Sequence, residues 1–323
     1  MKKLLVGLAI GLGAVVVLLV AAVIAVPLLV PLETYRAQIE QQASKATGRE
    51  VKIGGDMSLS ILPSLAARVE EVTLANASWA AEPTMAKIGA LDIKLQIWPL
   101  LTGEVAIDRF VLVEPVINLE VSEDGKTNWD FGGAQQPEAG DGGANGGSGD
   151  SAGGGFDLAD LRLGDVRLER GKLTYKDGAS GTAYAVDDIN VDLSLPGLSE
   201  PFAAKGSAVW NGKTVELDVS ADSLEPLMKG GASKLEAKIS SEPIAFSYNG
   251  DVSAPNPLKL AGTVDLDIPS VRELAAWAGQ PLDFPGEGFG PFSAKGQIDV
   301  TDKKIALSDA DIRFDAINGN GAL

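Results

Sequence analysis

The 323-residue sequence contains neither cysteine nor histidine. Without cysteine there are no disulfides, thiolate nucleophiles or iron–sulfur ligands, and the usual structural zinc sites are excluded. Without histidine the commonest general base and metal ligand is missing. Carboxylates, Ser and Lys stay available for chemistry, but no constellation of them stands out, so the expectation is a chain that is not an enzyme and carries no cofactor or metal. Basic residues are scarce too: 27 Lys and Arg stand against 44 Asp and Glu, a net charge of −17. Such a surface repels a phosphate backbone and argues against a nucleic-acid partner.

What is present begins with a run from Leu4 to Val30 free of charged side chains. At ~1.5 Å per residue it reaches about 40 Å, more than the ~30 Å hydrocarbon core of a bilayer. The run is too long for the apolar part of a cleaved signal and is read as a single-pass anchor over 1–31, represented by Leu4, Leu12, Val20 and Val30. Lys2 and Lys3 place its N-terminus on the cytoplasmic side and the bulk of the chain across the membrane.

After the anchor, Leu32, Tyr35, Ile39, Ala43 and Ala46 fall at spacings of three and four, a short amphipathic helix. The stretch Ala46–Gly55 resembles a phosphate-binding loop but reads better as a join. Gly48 ends the helix, Arg49 meets its last carbonyls, Val51 and Ile53 open a strand, and Gly54-Gly55 is a bulge or turn.

From there the apolar period is two. Leu91, Ile93, Leu95 and Ile97 alternate with polar residues, as do Ile117, Leu119 and Val121, then Ile189 to Leu195, Phe202 to Trp210, Leu260 to Ile268 and Phe292 to Val300. Asp124-Gly125, Asp177-Gly178, Asn211-Gly212 and Asn249-Gly250 suit tight turns between antiparallel strands. Ser270 to Gly279 reads as a second helix with Ser270 as N-cap.

The segment Gly132–Gly155 has eleven glycines and no large apolar residue, the composition of a flexible linker or a loop. It divides 32–131 from 156–323, although a loop within one continuous sheet would look the same. The expected fold is mainly β: successive antiparallel hairpins with few helices. Among motifs with chemical meaning, Gly206–Thr214 ends in Gly-Lys-Thr, but its first glycine is misplaced and it lies within a hairpin. Paired acids such as Asp265/Asp267 read as the wet face of a strand.

The order of elements is more telling. A spanning run, a helix ending Ala46-Thr47-Gly48-Arg49, Leu62-Pro63, Val72-Thr73-Leu74-Ala75-Asn76, Trp98-Pro99-Leu100-Leu101, Pro115-Val116-Ile117 and Asp124-Gly125-Lys126-Thr127-Asn128-Trp129 together resemble the N-terminal domain of the AsmA family. The resemblance covers 1 to about 131 and continues more loosely to the end. It implies a Gram-negative inner-membrane protein whose elongated, curved antiparallel sheet forms a periplasmic β-groove and supports outer-membrane biogenesis by shielding or conducting phospholipid acyl chains. Outer-membrane assembly proteins are the alternative partners, bound by a periplasmic scaffold. Gly48, Arg49, Asn76, Pro99, Pro115, Gly125, Asn128 and Trp129 are the motif positions expected to be structural. The apolar positions that would face lipid are Val51, Ile53, Leu91, Ile93, Leu95, Ile97, Ile117 and Leu119. The same alternation also suits a face packed against the protein's own core, and periodicity does not separate the two.

Overall fold

The computed structural model describes residues 33–60, 65–96, 106–131, 162–253, 259–286, 288–301 and 304–322. The anchor positions Leu4, Leu12, Val20 and Val30, the glycine-rich segment, Ile97 and Pro99 lie outside these. Among the described residues no helix is long and apolar enough to cross a membrane.

The chain forms one 16-stranded sheet. Helix α1 (Glu33–Thr47) precedes β1 (Val51–Ile53), β2 (Met57–Ser60), β3 (Leu65–Ala75), β4 (Thr84–Leu95), β5 (Ala106–Val113) and β6 (Val116–Val121). Then come β7 (Arg162–Asp177), β8 (Ala183–Leu195), β9 (Phe202–Trp210), β10 (Lys213–Ala221), a single turn of helix α2 (Glu225–Met228), β11 (Ala232–Ser241), β12 (Ile244–Ser253) and β13 (Lys259–Ile268). Helix α3 (Val271–Trp277) leads into β14 (Phe292–Val300), β15 (Ile305–Phe314) and β16 (Ile317–Gly321).

The mainly β expectation is met, and β9, β13 and β14 fall on the alternating runs that announced them. The sheet is not wholly antiparallel. β7 runs parallel to both β5 and β6, with Phe110 opposite Val166 and Ile117 opposite Leu173. Antiparallel neighbours need only a tight turn, whereas parallel ones need a long return connection, and 122–161 supplies that length. Strands from both sides of the glycine-rich segment therefore share one ladder.

Asn249-Gly250 is not a turn. Both residues lie inside β12, and the β11–β12 turn falls at Glu242-Pro243. Gly250 sits opposite Gly262, where a Cβ would stand 2.5 Å from the Gly262 Cα and 2.8 Å from the Tyr248 hydroxyl. Glycine is there for close approach. Asn211-Gly212, by contrast, makes the hairpin turn with φ of 44° and 78°, the paired positive values of a type I′ turn.

Outside the hairpin turns, Glu71, Arg170, Asp188 and Asp309 within strands and Glu114 at the β5–β6 junction have positive φ. Four of them mark one transverse seam. Gly54 N–H donates to the Glu71 carbonyl, Gly89 faces Glu114, Glu114 N–H donates to the Glu169 carbonyl, and Arg170 N–H donates to the Asn190 side chain. At the seam the apolar alternation changes phase: Leu65, Ala67 and Val69 give way to Val72 and Leu74, Val166 and Leu168 to Leu173 and Tyr175, and Val186 to Ile189 and Val191. A residue in the left-handed region bends its strand and returns the apolar set to the same face.

Candidate functional site

The registers align apolar residues into rows that run across the strands. One row passes Met57, Val69, Leu91, Leu112, Leu168, Val191, Gly206, Leu217, Ile239, Phe246, Leu266, Ala294, Ile312 and Gly319, one residue from each of fourteen strands. At ~4.8 Å per strand the row extends roughly 60 Å along the sheet. A second row, two residues along, runs Leu59, Ala67, Ile93, Phe110, Val166, Leu193, Ala204, Val219, Ala237, Tyr248 and Val264. Beyond the seam, Val51, Leu74, Ala86, Ile117, Leu173, Val186 and Trp210 form a third. Together they make an apolar track.

The track is open. None of the fourteen first-row residues is buried, and Leu217 is 42% exposed. Had a second layer packed on this face, such central residues would lie deep in a core. The buried apolar residues, Ile53, Met85, Ala90, Val111 and Ile268 among them, lie off the rows, with Tyr248 of the second row an exception.

The opposite face is charged. Lys94 pairs with Asp108, Arg68 with Glu70 and Asp92, Arg167 with Asp165 and Asp192, Lys205 with Asp218, and Lys295 with Asp265. Carboxylate neighbours hold the Arg68 and Arg167 guanidinium groups above their ordinary pKa, with hydrogen bonds to Glu70 and Asp165 the leading causes. Each exposed pair contributes little stability. Their collective effect is to keep this face wet and leave the apolar face as the only one suited to a nonpolar ligand.

At the N-terminal end of the track, α1 lies over β2 and β3. Between them is a cavity of about 740 Å³ lined by Tyr35, Gln38, Ile39, Gln42 and Ala43 of α1 and by Met57, Ser58, Leu59, Ala67 and Val69. Side chains of α1 fix the helix in place: Arg36 donates to the Ile53 and Gly55 carbonyls, and Glu40 accepts the Ile53 N–H.

Of the expected lipid-facing residues, Leu91 and Ile93 lie on the first two rows and Val51 and Ile117 on the third. Leu95 pairs with Leu65 and Ile107, Leu119 pairs with Tyr175, and Ile53 is buried beside Val72. The motif positions take separate structural roles. Gly48, at φ 66°, ends α1. Arg49 does not reach the helix carbonyls: it donates to the Met85 sulfur and the Asp130 carbonyl and lies over the Phe131 ring, while Thr47 donates its hydroxyl to Ala43. Burial lowers the Arg49 pKa. Pro115, at the β5–β6 junction, accepts from Lys172 N–H of β7, and Gly125, at φ 78°, turns the chain after β6. Trp129 packs against Tyr175, which stacks on Tyr184.

Asn76 and Asn128 meet. Asn128, with no exposed surface, donates to the Asn76 side chain and the Asn118 carbonyl and accepts the Glu120 N–H. The buried Glu120 carboxylate accepts from Asn76 and from the N–H groups of Ala81 and Glu82. Sequence reading missed Glu120 because a lone acid in an alternating strand looks like a solvent-facing residue; the Asn76 and Asn128 phrases were its only trace. No group of metal-ligating side chains occurs among the described residues.

In comparison with known protein families, the AsmA family model matches residues 1–267. No curated protein and no solved structure matches.

Proposed function

Starting from the fact that this chain belongs to the AsmA family, we propose that it is a non-enzymatic, inner-membrane-anchored periplasmic protein that supports outer-membrane biogenesis by shielding phospholipid acyl chains on its apolar track. The observation that carries this reading is the unburied fourteen-residue row. Each CH₂ kept from water there is worth about 0.8 kcal/mol, so a tail lying along the sheet replaces a costly hydration shell with dispersion contacts. The charged outer face gives acyl chains no comparable surface.

The anchor holds the helix-proximal end of the track at the membrane, and lipid passes along the strands rather than through a pore. The test places a photo-reactive side chain at Ile93, Leu168 or Leu217 of the full chain in cell membranes. Phospholipid adducts at these positions, and none at Arg68 or Lys205 on the outer face, are the expected result. Absence of lipid at all three inner positions sinks the reading.

The second reading, a scaffold for outer-membrane protein assembly, is favoured by one feature. Edge strand β16 is exposed along its length, with Ile317 at 71%, and an unpaired edge accepts an added strand. A stoichiometric protein partner bound in the absence of lipid would favour it.

A further inference from the structure

We propose that the cavity between α1 and β2–β3 is a receiving site for one acyl tail of a membrane phospholipid, and that it selects by tail without discriminating head-group charge. This inference rests on the acyl-shielding reading above. Three observations carry it.

The first is the lining. Among the described residues, none that lines the cavity is charged. Of the charged residues nearby in sequence, four are committed elsewhere: Arg36 to the Ile53 and Gly55 carbonyls, Glu40 to the Ile53 N–H, and Arg68 and Glu70 to each other on the opposite side of β3. The polar side chains present, Gln38, Gln42, Ser58 and Tyr35, are neutral. They suit the ester region of a lipid and offer no ion pair to a phosphate.

The second is continuity. Ala67 and Leu59 of the cavity wall are cross-strand partners, and Ala67 is next paired with Ile93 of the track; Val69 and Met57 lead in the same way to Leu91. A tail in the cavity has an unbroken apolar path onto β4. A site for a separate small apolar ligand would need an end wall on that side.

The third is position. Tyr35 stands in the first turn of α1, five residues after Val30 closes the apolar run. Five residues span at most ~18 Å even when fully extended, so the cavity mouth is tethered close to the end of the apolar run. Exposed Ile39 and Leu59, at 43% and 37%, flank the cavity. A phospholipid tail fits this placement better than a second protein, which would need a wider apolar patch for a stable interface.

The test uses the full chain in vesicles of phosphatidylethanolamine and phosphatidylglycerol, with a diazirine on the acyl tail of one lipid at a time and adducts mapped by mass spectrometry. Expected are adducts within residues 35–43 and 57–69, with the two labelled lipids agreeing within about twofold, a difference under ~0.5 kcal/mol. Ala43→Trp, which fills the cavity, should cut those adducts at least about fivefold, equivalent to ~1 kcal/mol, and spare adducts near Leu217. Should that variant fail to fold, exposed Gln42→Trp at the mouth is the substitute.

Adducts along the track but none at the cavity overturn the receiving site and leave the acyl-shielding reading standing. A preference for phosphatidylglycerol above about fivefold overturns head-group indifference, since a charge contact of ~1 kcal/mol would then be present. Labelling by a diazirine fatty acid but by neither phospholipid overturns the phospholipid source. Adducts nowhere overturn both readings.

Discussion

Trp277, at the end of α3, donates its indole N–H to the main-chain carbonyl of Trp210 at 2.9 Å, with the two rings edge to face and their centroids 4.5 Å apart. The Asn211 side chain donates back to the Trp277 carbonyl. α3 follows β13, yet Trp210 closes β9, four strands away in the sheet order. The helix therefore ties the rim of the sheet across β10–β12. Its root is set by Arg272, which donates to the carbonyls of Leu282, Phe284, Gly286 and Gly288, and by Asp315, which accepts from Phe289 and Gly290 N–H.

Trp277→Ala removes an aromatic pair worth ~0.5–1.5 kcal/mol beyond its buried area, together with one hydrogen bond of about 1 kcal/mol. Amide exchange of residues 271–279 should accelerate by at least about tenfold while β9 and β13 keep their protection. Equal acceleration of β13 would show that the helix and the sheet open as one unit.

Asn128→Ala leaves the Asn76 side chain, the Glu120 N–H and the Asn118 carbonyl without their partner in a buried site. The expected loss is about 2–4 kcal/mol, since each orphaned buried group costs ~1–3 kcal/mol. Urea unfolding checks it. A loss under ~0.5 kcal/mol would mean that water replaces the amide freely.

Leu217→Glu places a charge in mid-track at a position already 42% exposed. Stability should change by about 1 kcal/mol or less, because little burial is lost. Lipid capture at a photo-probe on Ile239, its cross-strand neighbour, should fall severalfold. Retained capture would mean that lipid does not follow this row.

Asp177 accepts N–H groups from Ser180 and Ala179 in the β7–β8 turn, and its carboxylate is held below the usual range, chiefly by the bond from Ser180. A depressed folded-state pKa favours the folded turn above the unfolded value of ~3.9, and this contribution is lost as pH falls through the folded value. NMR titration should find the Asp177 midpoint below that of an exposed aspartate. In Asp177→Asn the acid-dependent part of turn order should vanish.

Tyr248 is buried, donates its hydroxyl to the Asp251 carbonyl, and has its pKa raised, mainly by desolvation. A raised folded-state value means its contribution is intact below ~10 and is lost as pH climbs through the folded pKa. Tyr248→Phe should cost about 1 kcal/mol at neutral pH and flatten the alkaline limb of the stability profile.

Local signals are legible in the sequence. Period-two runs located β9, β13 and β14, and Ser270, which accepts the Glu273 N–H, starts α3. Non-local facts were not legible. Nothing in β5, β6 or β7 says that Phe110 will meet Val166 in parallel, because strand direction depends on the return path and not on composition. Gly250 was misread for a related reason: a Gly after Asn suits a turn, but here the missing Cβ serves a neighbour twelve residues away, Gly262. The track itself follows from alternation only once the registers are known, since a one-residue slip in any strand would break the row.

The transverse seam makes each of its strands a sentence with a fixed punctuation mark. Remove one residue on either side of Glu71 or Arg170, and the apolar letters beyond it point outward while those before it still point in. Length changes in this sheet are therefore tolerable at its rims, where turns absorb them, and ruinous between rim and seam. Its strands can vary freely in wording but not in meter.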